Sequence, residues 1–161
     1  MDKTSAAVYT LLEQVKDPEI PVVHIVEMGM ITGVACSEEY TRVDLTPTFV
    51  GCPAIDYMRN QIVEVLQQAG YVRPEVRVNR EVAWNSDRMT AEAKEKIARF
   101  GLAPPPPLEG ELSEELLNKV KCPHCGSPDT TLRSPFGSTL CRAIRFCFTC
   151  RQGFEQFKPV Q

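Results

Sequence analysis

Between residues 4 and 16, Val8, Leu11, Leu12 and Val15 recur at the spacing of one helical face. Asp17-Pro18 then opposes continuation, because the residue before a proline is pushed out of the helical region. MITGVAC (30–36) and TRVDLT (41–46) read as two short strands, the second alternating through Val43 and Leu45, and the polar CSEEYT between them predicts an antiparallel hairpin. From Pro53 to Ala69, the residues Ile55, Met58, Ile62, Val65 and Ala69 fall three or four apart, with Pro53 suited to a first helical position and Gly70 to a stop. EVRVNREVAW (75–84) alternates through Val76, Val78, Arg80, Val82 and Trp84 as a strand does. Thr90 then suits the cap of a helix from Ala91 to Phe100 closed by Gly101. No internal repeat is visible.

The predicted order is helix, strand, strand, helix, strand, helix. It can bury one face of a three-stranded sheet beneath helices, so the expected class is α/β (α+β), a small sheet packed with helices. Val43, Leu45, Ile55, Ile62, Val65, Val76, Val78 and Ile97 are the candidate core, and packing is their expected role.

Charge changes this picture toward two parts. Residues 1 to 120 hold 12 basic and 19 acidic side chains, whereas 121 to 161 hold 6 and 2. Five of the seven cysteines also lie in the last 41 residues. The run Pro104 to Pro107 favours extended polyproline geometry, which marks the boundary. The expected division is a first domain over 1–103, a proline-rich linker over 104–112 and a cysteine-rich domain over 113–161. No stretch of 18 apolar residues occurs, and MDKTSAAVYT lacks the basic and then apolar regions of a signal peptide. The expected location is therefore the cytoplasm, where seven thiols are not a disulfide framework and metal binding becomes the first question.

CPHC at 122–125 and CFTC at 147–150 form two Cys-x-x-Cys knuckles separated by 21 residues. Each such turn lets two thiolates converge on one ion, and two turns complete the tetrahedral sulfur set that zinc accepts. Cys122, Cys125, Cys147 and Cys150 are thus the expected metal ligands of a zinc-ribbon-like domain, and TTLRSPFGSTLCRAIRFC offers two short strands to carry the chain between them. Zinc is the expected structural ion, with a four-cysteine iron centre as the competing reading. His124 sits poorly beside Cys125 for a shared ion. Cys141 reads as a small buried hydrophobe or as an additional redox or metal residue.

Cys52 stands where a thiolate gains from the unpaired N–H groups of a helix start. That makes it a nucleophile, a persulfide carrier or a cluster ligand, with a buried inert cysteine as the equal alternative. Cys36, at a strand end, reads as structural. DPEIPVVHIVEMG supplies Asp17, Glu19, His24 and Glu27, which either assist metal acquisition or proton transfer near a thiolate, or else cap backbone groups, form surface salt bridges or face solvent. No glycine-rich phosphate cradle, HExxH pair or G-x-S-x-G elbow is present, so ATPase, metallopeptidase and esterase chemistry have no positive motif. The basic tail residues Lys121, Arg133, Arg142, Arg145, Arg151 and Lys158 leave a nucleic-acid-binding ribbon as a remote alternative, against the acidic balance of the chain.

DPEIPVVHIVEMGMI followed by TPTFVGCP resembles the DUF59-type metal-sulfur cluster assembly domain over most of residues 5–101. CPHCGSPDTTLRSPFGSTLCRAIRFCFTCRQGFEQFK is similar to the C-terminal region of the PaaD family of phenylacetate-degradation proteins, also called PaaJ. The resemblance implies a bacterial accessory protein of aerobic phenylacetate degradation that works with the multicomponent oxygenase epoxidising phenylacetyl-CoA. Its implied role is iron-sulfur cluster maturation or transfer, with no epoxidising activity of its own. The implied partners are components of that epoxidase, above all its iron-sulfur reductase component. The family's acidic-proline motif falls on Asp17, Pro18 and Glu19, its strand-leading acid on Glu27, and its functional cysteine on Cys52. The usual aspartate-leucine-glycine is here Glu27-Met28-Gly29, which keeps the carboxylate and the glycine. These assignments make Cys52, Asp17 and Glu27 the candidate cluster-transfer residues, with a transient iron-sulfur cluster held by one chain or between two in a homodimer. A docking or scaffold subunit with structural zinc is the alternative.

Overall fold

The computed structural model describes residues 3–108, 118 and 120–159. The chain divides into two compact units, Met1–Trp84 and Asn85–Gln161. Among the described residues no helix is long and apolar enough to cross a membrane.

The first unit opens with helix α1 (Ser5–Leu12), capped by the Thr4 side chain, which accepts from the Ala7 amide. The helix is shorter than its apolar spacing predicts. Lys16 leaves it to form an antiparallel bridge with His24, while Val15 stays buried. Strands β1 (Ile31–Cys36), β2 (Thr41–Leu45) and β3 (Pro74–Val78) form a sheet in that order, with β2 central. The hairpin is antiparallel, Val34 opposite Val43, and β2 runs parallel to β3, Val43 opposite Val76. Two parallel neighbours need a long crossover, and helix α2 (Ile55–Gln68) supplies it.

Val8, Leu12, Ile25, Met28, Val43, Leu45, Met58, Ile62 and Leu66 are buried to the last per cent or so, which places the core of this unit between helix and sheet residues. Of the expected core, Val43, Leu45, Ile62, Val76 and Ile97 are buried, whereas Ile55, Val65 and Val78 are half-buried. The alternation through residue 84 overstates the third strand. Pairing stops at Val78, and Trp84 is buried with its indole N–H donating to the Met28 carbonyl at 2.8 Å.

In the second unit, Thr90 accepts from the Ala93 amide at the start of α3 (Ala91–Phe100), and Gly101 closes the helix at φ 95°, where a side chain would be strained. Strands β4 (Leu102–Ala103), β5 (Thr130–Ser134), β6 (Arg142–Cys147) and β7 (Gly153–Phe157) form a sheet in the order β4-β7-β6-β5. β5, β6 and β7 are antiparallel neighbours, and β4 joins β7 in parallel. Sequence reading groups α3 and residues 102–103 with the first domain, but their packing lies here because the β4 backbone completes the edge of the ribbon sheet. Residues 109–112 of the expected linker, and 113–117 and 119 of the expected ribbon, lie outside the described residues. The ribbon core is small, with Ala103, Val120 and Phe154 packed with Cys122 and Cys147. So few apolar groups supply little burial energy, which is the situation in which a bound metal contributes folding stability.

Candidate metal centre and cysteine loop

Both knuckles are shaped by backbone before any ion is considered. In the first, the Cys122 N–H donates to the Ser127 carbonyl at 2.9 Å and the Gly126 N–H returns to the Cys122 carbonyl at 2.8 Å, with Gly126 at φ 77°. In the second, the Cys147 N–H donates to the Gln152 carbonyl at 3.0 Å, and Arg151 takes the left-handed turn at φ 58°. Each knuckle thus needs one left-handed residue directly after its second cysteine. The hydroxyls of Ser127 and Thr149 meet at 2.7 Å and tie one knuckle to the other.

The four sulfurs converge, all lying within 4.8 Å of one another. The Sγ atoms of Cys122 and Cys150 are 3.7 Å apart, and those of Cys125 and Cys147 are 3.6 Å apart. A tetrahedral ion with metal–sulfur bonds of about 2.3 Å requires sulfur–sulfur edges of about 3.8 Å, so the set fits one ion. A multi-iron cluster would interpose several atoms between its ligands and spread them further. The residues named from spacing, Cys122, Cys125, Cys147 and Cys150, are the ones brought together.

The thiols are electrostatically unlike. Amide donation from Cys150 outweighs burial and lowers Cys147 to about 7, while burial pushes Cys150 up to about 12. Such a set binds a cation only by losing protons, so its metal affinity falls with acid.

His124 and Cys141 stand apart from this group. The His124 ring meets Phe154 edge to face at 6.4 Å, and its backbone N–H donates to Cys122 Sγ at 3.4 Å. Cys141 is buried with its sulfur 3.0 Å from the Thr139 hydroxyl. Sequence reasoning missed the strand β7 and the role of Arg151. The β-prone Phe154 and Phe157 after the second knuckle were the available signal for the strand.

In the first unit, Cys52 lies on the loop from β2 to α2. Its N–H donates to the Phe49 carbonyl and its carbonyl accepts from Ile55, both at 3.3 Å, after Gly51 turns at φ 82°. The helix begins at Ile55 with Ala54 as an N-cap lacking any side-chain bond, so Pro53 precedes the helix. Cys52 is 8% exposed, whereas its neighbour Val50 is 88% exposed. Asp17 accepts from the amides of Glu19 at 2.7 Å and Ile20 at 3.0 Å. Glu27 accepts from the His24 amide at 2.9 Å, and His24 Nδ1 accepts from the Glu27 amide at 3.2 Å. Both acids are buried, and each shapes the loop between α1 and β1. Cys36 donates to the Lys3 carbonyl at 3.4 Å, a structural contact. None of the seven cysteines forms a disulfide.

Residues 5–78 match the model of the iron-sulfur cluster assembly protein family, and residues 108–158 match that of the PaaD zinc beta ribbon domain. A protein of Escherichia coli strain K12, named as one subunit of a "Putative 1,2-phenylacetyl-CoA epoxidase", is 38% identical over 153 residues, 95% of this chain and 92% of its own. Among solved structures, a domain of unknown function DUF59 from Bacillus anthracis has a TM-score of 0.54 at 29% identity, covering 57% of this chain and 89% of its own. A conserved hypothetical protein from Thermotoga maritima has a TM-score of 0.52 at 25% identity, covering 63% of this chain and 100% of its own. With an assembly-type domain of the DUF59 fold followed by a four-cysteine ribbon, and with the Escherichia coli relative matched nearly end to end, the chain belongs to the PaaD family.

Proposed function

We propose that this protein is an accessory factor of aerobic phenylacetate degradation that matures or transfers an iron-sulfur cluster for the phenylacetyl-CoA epoxidase complex. What supports the reading is that the four ribbon sulfurs converge within 4.8 Å of one another, whereas Cys52 is a single cysteine on the β2–α2 loop of the first unit. Four thiolates closed around one ion leave no open coordination position, which suits structural zinc and is unsuited to release. A single cysteine per chain at Cys52, assisted by Asp17 or Glu27, leaves positions for exchange. The cluster is then held transiently by one chain or between two, and passed to the iron-sulfur reductase component. The assembly-family match of residues 5–78 and the name of the Escherichia coli relative support this reading.

The test is anaerobic purification with metal and sulfide analysis, coupled to reactivation of the cluster-free epoxidase reductase. Cys52→Ala is expected to abolish reactivation with its tightly bound zinc unchanged at about one ion per chain, as one four-thiolate site requires, and Cys122→Ser to lose the zinc. Wild-type reactivation by Cys52→Ala would defeat the carrier assignment. A second reading, a scaffold subunit whose zinc is structural and whose first domain handles no metal, draws support from the local hydrogen bonds that occupy Asp17 and Glu27 and from the burial of Cys52.

A further inference from the structure

Among the described residues of the ribbon, the connection between β5 and β6 carries the two most exposed large apolar side chains, Phe136 at 66% and Leu140 at 62% exposure. Exposed side chains of this size are ordinarily on mobile loops, but this loop is held from several sides. Glu155 accepts from the Ser138 amide at 2.9 Å and from its hydroxyl at 2.8 Å, and Arg142 lies 3.7 Å from the same carboxylate. Lys158 donates to the Pro135 carbonyl at 3.1 Å and stands over the Phe136 ring at 5.6 Å. Ser134 closes the near side, its hydroxyl accepting from the Phe136 amide at 3.1 Å. A Cβ at Gly137 would come within 2.6 Å of the Glu155 carboxylate, so glycine is what lets the loop close on that acid. Ile144 on β6 and Phe148 just after it are also exposed, with Phe148 meeting Phe146 edge to face and Arg133 standing over the Phe146 ring at 5.2 Å.

A fixed loop presenting apolar side chains to solvent has already lost the entropy that docking would otherwise cost. The charge beside these side chains selects the occupant. Lys158 stands over Phe136 and the exposed Arg133 over Phe146, while the acid of the loop, Glu155, is engaged by Ser138 and Arg142. We infer that the β5–β6 hairpin is a docking finger, its tip at Phe136 and Leu140 entering an apolar recess ringed by acidic side chains on a partner protein.

A nucleic acid fits less well. Arg145 is 2% exposed and Arg142 is turned to Glu155, so the basic residues do not form a stripe, and the tip itself is apolar. A second copy of this chain fits less well too. The exposed large apolar residues of Met1–Trp84, namely Val22, Tyr40, Val50, Tyr57 and Val72, fall singly on different loops and elements and supply no run to receive the finger.

The inference rests on the reading that the client is an epoxidase component, and the experiment separates the two. The zinc-loaded full chain is titrated against each purified component of the phenylacetyl-CoA epoxidase by biosensor, at low and high salt. Wild type is expected to bind the reductase component, more weakly as salt rises. The double variant Phe136→Ser/Leu140→Ser is expected to bind at least about tenfold more weakly at unchanged zinc content and melting temperature. Arg133→Glu should weaken binding and flatten the salt dependence. If the double variant binds the reductase as tightly as wild type, the finger is overturned while the client reading stands. If wild type binds no component, the client reading falls and the finger with it. Binding of a DNA duplex or single strand in place of the reductase, or self-association that the double variant abolishes, would overturn the inference in favour of those partners.

Discussion

Gly126 and Arg151 occupy equivalent places, each directly after the second cysteine of a knuckle and each in left-handed backbone. That conformation costs a residue with a Cβ about 1–2 kcal/mol and glycine almost nothing. Gly126→Val is therefore expected to destabilise the zinc-loaded ribbon by at least about 1 kcal/mol, whereas Arg151→Gly should be neutral or slightly stabilising, as read by thermal unfolding. The first of these turns is legible in the sequence as a glycine, and the second is not, because an arginine carries no sign of the backbone it adopts. Asp17 illustrates the reverse difficulty. Its residue type suits metal or cap alike, and only the structure shows that its carboxylate accepts from the amides of Glu19 and Ile20. Asp17→Ala should cost about 1–3 kcal/mol in chemical denaturation whether or not a cluster is present. A loss of cluster transfer at unchanged stability would instead mark the residue as a ligand.

Elements were legible where a strong local signal set both ends. α3 is one case, with Thr90 as its cap and Gly101 as its stop, and Thr90→Ala is expected to lower stability by about 1 kcal/mol in thermal unfolding. β3 and β4 are the opposite case. Alternation continues past Val78 while the ladder stops, and the two residues of β4 have no periodicity to read, since both ends are fixed by partner strands distant in sequence. The β5–β6 hairpin depends on Glu155 in the same non-local way. Burial opposes that carboxylate's charge, but hydrogen bonds from Ser138 and the charge of Arg142 prevail and hold it below its usual range. A carboxyl whose folded pKa lies below its unfolded value contributes stability that is complete above the unfolded pKa and is lost as pH falls through the folded one. Anchoring of the loop should thus be constant from neutral pH to about pH 5 and fail below the ordinary glutamate value of about 4.3. Amide-exchange protection of Ser138 reads this directly, and Glu155→Gln should lower that protection already at neutral pH.

For the whole molecule, the two units have different sources of stability. Met1–Trp84 has a broad apolar core, while the ribbon core includes two of the four converging cysteines, Cys122 and Cys147. Structural zinc supplies on the order of 10 kcal/mol in small zinc peptides, more than so few apolar side chains provide. Chelation is expected to melt the ribbon strands, seen as loss of dispersed amide signals for β5 to β7, while the fluorescence of the single tryptophan, Trp84, stays that of a buried indole. Loss of the Trp84 signal together with the metal would show that the first unit depends on the ion. The sequence by itself determined which four cysteines converge, the order of the main helices and strands, and the family, because knuckle spacing, helical period and turn residues are local properties of the chain. Only the tertiary structure decided that β4 belongs to the ribbon sheet, that Arg145 is buried while Phe136 and Leu140 face solvent, and that Asp17 and Glu27 shape their loop. Those outcomes depend on which distant groups meet, and burial and hydrogen bonding across the fold override what each residue type prefers alone.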